Sequence, residues 1–304
     1  MLHITDDMVA EAVTIAEAQA VMRDAFESFG RGRASMQERI RTEAGGVKLS
    51  TLGAVIPDLG VTGAKVYTTI AGQFSFAISL FSTEDGRPLA SLEANAITRL
   101  RTPACSVLAA RHLARADSRR LALFGTGVQG RAHAIQMASA YPLAEILIVS
   151  SHPNAMVAEA IATESGVAAR LASAEEAVAN ADIIVTASRS KTALFDGSWL
   201  QPGTFISAVG SSLPNTRELD DLTLARSSII AVEWRPQSLR EAGDLVLGAR
   251  SALPDEKIAE LGELVTAQKA GRTDPTEITL YKSVGVGLED IALAGLAYRK
   301  IVGA

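Results

Sequence analysis

Three glycines, Gly125, Gly127 and Gly130, follow the apolar run LALF (121–124) and open a helical pattern that begins at Val128. In that strand-to-helix setting a G-x-G-x-x-G spacing has a mechanical meaning. The first glycine makes a tight turn, the second lets backbone approach a pyrophosphate, and the third lets helix and strand pack closely. Free N–H groups and the helix dipole then attract the anion. Without the flanking elements the same spacing would be an ordinary glycine-rich turn. An acidic residue at the end of the next strand would hold the ribose hydroxyls of NAD. That strand ends IVSSHP, so Ser150, Ser151 and His152 stand there and no carboxylate does. The absence of that carboxylate leans the NAD(P) reading toward NADP(H), although no arginine is placed to clamp a 2′-phosphate.

A second chemical signal is a lone cation. Residues 59–83, LGVTGAKVYTTIAGQFSFAISLFST, carry Lys65 as their single formally charged side chain. The stretch is β-branched, aromatic and glycine-dotted, as two buried strands and a turn would be. An ammonium group is costly to bury without a partner. Lys65 is therefore either a functional cation or a strand-edge lysine reaching for water. Arg101 raises a similar question. It stands two residues before Pro103, at a predicted helix start where the dipole disfavours a cation unless an anion lies close.

The elements that must position these groups can be read from the hydrophobic pattern. Residues 6–30 have helical periodicity, extended segments run to about residue 92, and 96–116 is helical again. Pro103 suits the first turn of that helix. From Arg119 onward, short continuous apolar runs at 121–124, 145–150, 181–187, 204–210 and 228–233 alternate with helices at 128–140, 155–165, 174–180 and 218–226. Continuous strands separated by helices indicate a parallel sheet covered on both faces. The tail, EITLYKSVGVGLEDIALAGLAYRKIVGA, reads as a strand and then an amphipathic helix.

Composition narrows the function classes. The 304 residues carry a formal charge of −5 and no strongly basic block, which argues against nucleic acid as a partner. The single cysteine, Cys105, excludes a disulfide framework and a cysteine-rich zinc site, and the four histidines show no ligand spacing. No metal is expected. The acidic N-terminus lacks a signal-peptide layout, and no run reads as a membrane-spanning helix. The expectation is a cytoplasmic protein.

Taken together, RIRTEAGG (39–46), GAVIP (53–57), GAKVYTT (63–69), NAITRLRTPACSVLAARHLA (95–114), GTGVQGRAH (125–133), AVGSSLPNTRELD (208–220) and LYKSVGVGLED (280–290) resemble the ornithine cyclodeaminase/mu-crystallin family. The resemblance runs nearly the whole length. It implies an α/β chain in which a doubly wound Rossmann sheet, residues 117–284, is inserted into an α+β substrate and dimerisation domain formed by 1–116 and 285–304. It implies a homodimer. Carried over residue by residue, Arg41, Lys65 and Arg101 surround the α-carboxylate of an amino or imino acid, with Ser212 and Val284 also on the substrate side. Lys65 also lies beside the reacting C=N as the catalytic group. Arg101, Thr102, Val128 and Gln129 lie along the cofactor phosphates with Gly125 and Gly127. Ser150, Ser151 and His152 face the adenine ribose, Ser188 the nicotinamide side, and Gln73 makes a small polar cofactor contact. Val209, Gly210, Ser211, Ser212 and Ser283 line the nicotinamide pocket.

The pattern breaks at two carboxylates. Ornithine cyclodeaminases place an aspartate where this sequence has Ser212, and a second carboxylate where it has Leu52. Deamination with ring closure needs groups that exchange protons near neutral pH. The expected activity is therefore NAD(P)H-dependent reduction of a small 2-imino acid, cyclic or acyclic. The alternatives are a cyclodeaminase or amino-acid dehydrogenase using other acids, such as Glu93 or Asp85, and a non-catalytic NADPH and small-ligand binder.

Overall fold

The computed structural model describes residues 1–303 and divides into two compact units, residues 1–105 with 285–304 and residues 106–284. The division falls inside one helix, Asn95–Leu113.

The first unit is built on a seven-stranded sheet. Its order is Leu2–Ile4, Pro88–Glu93, Gln73–Ser82, Val61–Ile70, Val47–Ile56 and Ser35–Met36, with Ile40–Ala44 also paired to Val47–Ile56. Val61–Ile70 is central, hydrogen-bonded on both sides over its full length. The C-terminal helix, Gly287–Val302, packs on the middle strands and against helix Ile15–Gly30. Every residue from 287 to 295 is buried, because this half of the helix is covered on more than its apolar stripe. On the opposite face of the sheet the side chains of Ile40, Val47, Leu49, Val55, Val66, Ile70 and Phe81 remain exposed.

The second unit is an eight-stranded, wholly parallel sheet ordered Ala169–Leu171, Glu145–Val149, Arg120–Phe124, Ile183–Thr186, Phe205–Ala208, Ile278–Lys282, Ser227–Val232 and Ile258–Glu260. The strand order reverses between Arg120–Phe124 and Ile183–Thr186. In doubly wound sheets such a switch point opens the ligand crevice at the carboxyl ends of the strands. The α/β reading with a Rossmann-type sheet holds.

Three local expectations are corrected. The 6–30 pattern is two helices, Asp6–Ala12 and Ile15–Gly30, because Thr14 caps the second and forms a capping box with Glu17. The 218–226 helix is only Asp221–Arg226. Asp220 is its N-cap, accepting from Thr223 N, while the backbone amides of Glu218 and Leu219 are bound by Asp244. Helix Asn95–Leu113 contains Pro103 in its interior, so Arg101 lies in its second turn rather than at its start. The start is capped from another element. Asp6 accepts from Ala96 N at 2.7 Å and from the Asn95 amide at 2.8 Å.

Candidate functional site

Each unit carries its own set of candidate residues. In the first, Lys65 projects from the central strand and its side chain is 3% exposed. The strand-edge reading is thereby excluded. Its Nζ donates to Asp290 Oδ1 at 3.0 Å and to Thr98 Oγ1 at 2.6 Å, and stands 4.4 Å from the centroid of the Phe76 ring. Thr98 donates its own proton to Ala94 O, so towards the lysine it acts as an acceptor. Arg101 is likewise buried. Its guanidinium reaches Glu289 Oε2 at 2.5 Å, and its Nε lies 3.3 Å from the same Asp290 oxygen that Lys65 uses. Lys65 and Arg101 are thus brought together by two acids in the first turn of the C-terminal helix, neither of which stands out in the sequence.

Burial pushes the Lys65 ammonium down to about 8, with Arg101 and Arg39 adding to the fall and Asp290 opposing it. Burial also works against the charge of Arg101, but Asp290 and Glu289 more than offset it and hold the guanidinium above its ordinary value. Burial would raise the Asp290 carboxyl, yet Lys65 and Arg101 prevail and keep it below the usual carboxylate range.

Two more arginines stand on this face. Arg39 donates to Gly285 O at 2.7 Å. Gly285 has φ +74°, and a Cβ there would meet the Arg101 guanidinium at 2.7 Å, so glycine is needed on both counts. Arg41 pairs with Ser50, one alternate position along from the Leu52–Lys65–Ile78 row, in line with Tyr67 and Phe76. Leu52, where a family carboxylate is absent, lies directly opposite Lys65 and is buried. Tyr67, Phe74 and Phe76 form an aromatic group on the same face, with Phe74 and Phe76 stacked at 5.6 Å. Thr102 is buried and donates to Thr98 O, while Gln73 is exposed beside the Ala71–Gly72 hairpin turn.

In the second unit, Gly125 has φ +100°, and a Cβ on Gly130 would collide with the Gly125 carbonyl. Gly127 has no heavy atom within 4 Å of a built Cβ and is the N-cap of helix Val128–Ala140, with no side-chain capping bond. The tight turn, the open approach and the uncapped helix start fit a dinucleotide pyrophosphate. Val128 is exposed in the first turn, and Gln129 follows it. A buried chain fixes this turn. The Gln129 carbonyl can only accept, so His133 Nδ1 donates to it at 2.7 Å. His133 Nε2 therefore accepts from Ser106, which in turn accepts from Ser207. Ser150, Ser151 and His152 form a short loop after Glu145–Val149, with Ser150 Oγ accepting from His152 N.

Three buried carboxylates that sequence reasoning missed hold the loops at the carboxyl ends of the strands. Glu218 accepts from Thr186 Oγ1, Ser188 N, Ser188 Oγ and Gly210 N, all at 2.7–2.8 Å. Glu233 accepts from Ser283 Oγ and Val284 N. Asp244 accepts from two backbone amides and pairs with the fully buried Lys282 at 2.9 Å. Ser188 and Ser283 therefore spend their hydroxyl protons on these carboxylates. Ser211 Oγ donates to Thr216 O, and Val209 and Ser212 flank the Gly210–Ser211 pair in the same loop. Among the described residues no group of three or more His, Cys, Asp or Glu side chains is arranged to hold a metal ion. Among them, too, no helix is long and apolar enough to cross a membrane.

The family description "Ornithine cyclodeaminase/mu-crystallin family" matches residues 1–304. The chain is 35% identical over 265 residues to a Delta(1)-pyrroline-2-carboxylate reductase of Bacillus cereus, covering 86% of this chain and 78% of that one. Among solved structures it resembles the probable ornithine cyclodeaminase from Bordetella pertussis Tohama I, with 55% identity, TM-score 0.98 and coverage of 100% of this chain and 97% of that one. It also resembles Thermococcus litoralis Delta(1)-pyrroline-2-carboxylate reductase in complex with NADH and L-proline, with 29% identity, TM-score 0.94 and coverage of 100% and 98%. With a match along the entire chain, the protein belongs to the ornithine cyclodeaminase/mu-crystallin family.

Proposed function

We propose that the protein reduces small 2-imino acids to amino acids with NAD(P)H. The observation that carries this is the surroundings of Lys65, a buried cation faced across the strand ladder by Leu52 and held by acids that are themselves tied to cations. Asp290 is held ionised, so it is a poor proton-exchanging group near neutral pH for deamination. The two alternative acids are also spent. Asp85 pairs with Arg87 in an exposed turn, and Glu93 accepts from Asp6 N and faces away from Lys65. The B. cereus and T. litoralis relatives, both named as pyrroline-2-carboxylate reductases, support this choice.

In this reading residues 1–116 and 285–304 bind the acid and residues 117–284 the cofactor. Arg41, Lys65 and Arg101, with Arg39 beside them, supply the positive charge and hydrogen-bond donors that draw the substrate carboxylate. Val284 and Ser212 complete the substrate side. When bound, a reduced nicotinamide supplies the hydride for the imine carbon. Lys65 gives the imine nitrogen the proton that balances it and recovers one from water. Gly125, Gly127, Val128, Gln129 and Thr102 hold the pyrophosphate. Ser150, Ser151 and His152 present no carboxylate to a 2′-phosphate, which favours NADP(H). Cys105 is a buried cysteine outside any disulfide, in keeping with the cytoplasm.

The test is turnover. Oxidation of NADPH or NADH should follow addition of Δ1-pyrroline-2-carboxylate or Δ1-piperideine-2-carboxylate, with little ammonia released from ornithine plus NAD. The reverse outcome, ornithine deamination without imine reduction, returns the protein to the cyclodeaminases, the class for which the B. pertussis relative is named.

We also propose a homodimer formed through the exposed apolar sheet face. Val47, Leu49, Val66, Ile70 and Ile40 expose apolar side chains together on that face, and such grouped apolar exposure marks an interaction surface. Val66→Asp, on the central strand of that face, should shift the sedimentation coefficient from dimer to monomer. A wild-type protein that sediments as a monomer removes the proposal.

A further inference from the structure

The cluster around Lys65 contains more charge than a carboxylate-binding site needs, and its two acids are fully buried against its cations. From the C-terminal helix come Asp290 and Glu289, from helix Asn95–Leu113 come Arg101, Thr98 and Cys105, and Arg39 precedes strand Ile40–Ala44. Strand Gln73–Ser82 contributes the Phe76 ring. Burial, Arg101 and Arg39 all favour a neutral amine on Lys65, and Asp290 works against them. Asp290 Oδ1 contacts both Lys65 and Arg101, while Oδ2 is buried without a hydrogen-bond partner. A buried carboxylate with one idle oxygen is expensive to keep in a protein interior.

We propose that Asp290 is the positioning residue that keeps Lys65 protonated and aims it. Two of the three ammonium hydrogens are spent on Asp290 and Thr98, leaving one that faces the Phe76 side and is free to pass to an imine nitrogen. Were Lys65 a neutral amine, both its hydrogens would be held by those same acceptors and none would remain to give. Asp290 thus acts through Lys65 and does not touch the reacting atoms. This rests on the imine-reductase reading, but part of its test does not depend on turnover.

Asp290→Asn and Asp290→Glu are compared with the wild type in protein labelled with 13C and 15N at lysine. The Lys65 resonance is identified by its loss in Lys65→Arg. In Asp290→Asn the Lys65 titration midpoint should fall by about one to three pH units, and the alkaline limb of the imine-reduction profile should move with it. Asp290→Glu should restore both in large part. NADH affinity, measured by cofactor fluorescence, should not change. An unmoved Lys65 midpoint in folded Asp290→Asn overturns the proposal, as does an alkaline limb that stays in place while the rate falls equally at every pH. Should Asp290→Asn fail to fold, Asp290→Ser decides, since it also removes the carboxylate: a lowered Lys65 midpoint upholds the proposal and an unmoved one overturns it. A wild type that reduces no imine would sink the proposed function and leave the lysine titration to judge Asp290 by itself.

Discussion

Lys65→Met is expected to lower kcat/KM for imine reduction by about 10²–10⁴-fold, the usual worth of a positioned proton donor. The same change should leave NAD(P)H binding intact, since Lys65 is no part of the glycine turn between Arg120–Phe124 and Val128–Ala140. Methionine matches the length and volume of the lysine stem, and Arg101 remains against Asp290 and Glu289, so the core keeps its packing and one of its cations. The wild-type pH profile supplies the second half of the prediction. Lys65 sits at about 8, and the group is active as its ammonium form, so the rate should hold below that pH and fall as pH rises through it. A methionine variant that keeps most of its rate would show that substrate arrives already protonated and that neither the proton nor the charge of Lys65 drives the step. Stopped-flow measurement of NAD(P)H oxidation across the pH range on both sides of that value reads both outcomes.

The other large effect should come from Glu218, which touches no reacting atom. Glu218→Leu strands the backbone N–H groups of Ser188 and Gly210, whereas the hydroxyls of Thr186 and Ser188 can turn to other acceptors. Two unsatisfied amides would cost about 2–6 kcal/mol if fully buried, and less here because both stand in half-buried loops. Glu218→Gln keeps one oxygen and strands only one amide, so it should cost about half as much. Thermal melts of both variants should rank wild type above Gln and Gln above Leu. Equal melting of the two variants would mean that the carboxylate is not the clamp its geometry suggests. Because Ser188 and Gly210 lie at the carboxyl ends of adjacent strands beside the switch point, KM for the cofactor should rise in the same order.

A feature of this chain is legible in its sequence when the partners that make it lie close together. The glycine turn is legible because all its parts are close neighbours in the chain, and the strand–helix period around it is unbroken. The parallel sheet is legible for the same reason, as continuous apolar runs separated by helices call for burial on both faces. Lys65 is conspicuous because nothing near it in sequence neutralises it. Its partner, however, lies 225 residues away. GLEDIALAG reads as an ordinary amphipathic helix whose first-turn acids satisfy the dipole, and that local explanation conceals what Glu289 and Asp290 do. Arg39 and Arg41 illustrate a different limit. A strand period of two places both on one face, and spacing alone does not say which of them reaches the lysine. The fit of Arg39 to Gly285 O decides in favour of it as a neighbour of the cluster. Glu218, Glu233 and Asp244 look like surface acids of helices and loops, and only the tertiary fold shows them buried.

The C-terminal helix also governs the order in which this protein can come into being. Until residue 290 has left the ribosome, Lys65 and Arg101 lack the two acids they lie against, and the middle strands of the sheet lack the helix that packs on them. The intervening parallel sheet emerges whole before then and can form as a unit of its own. The N-terminal hundred residues, though made first, are consequently the last to be finished, and must wait as an open surface in the care of whatever in the cell shields nascent chains.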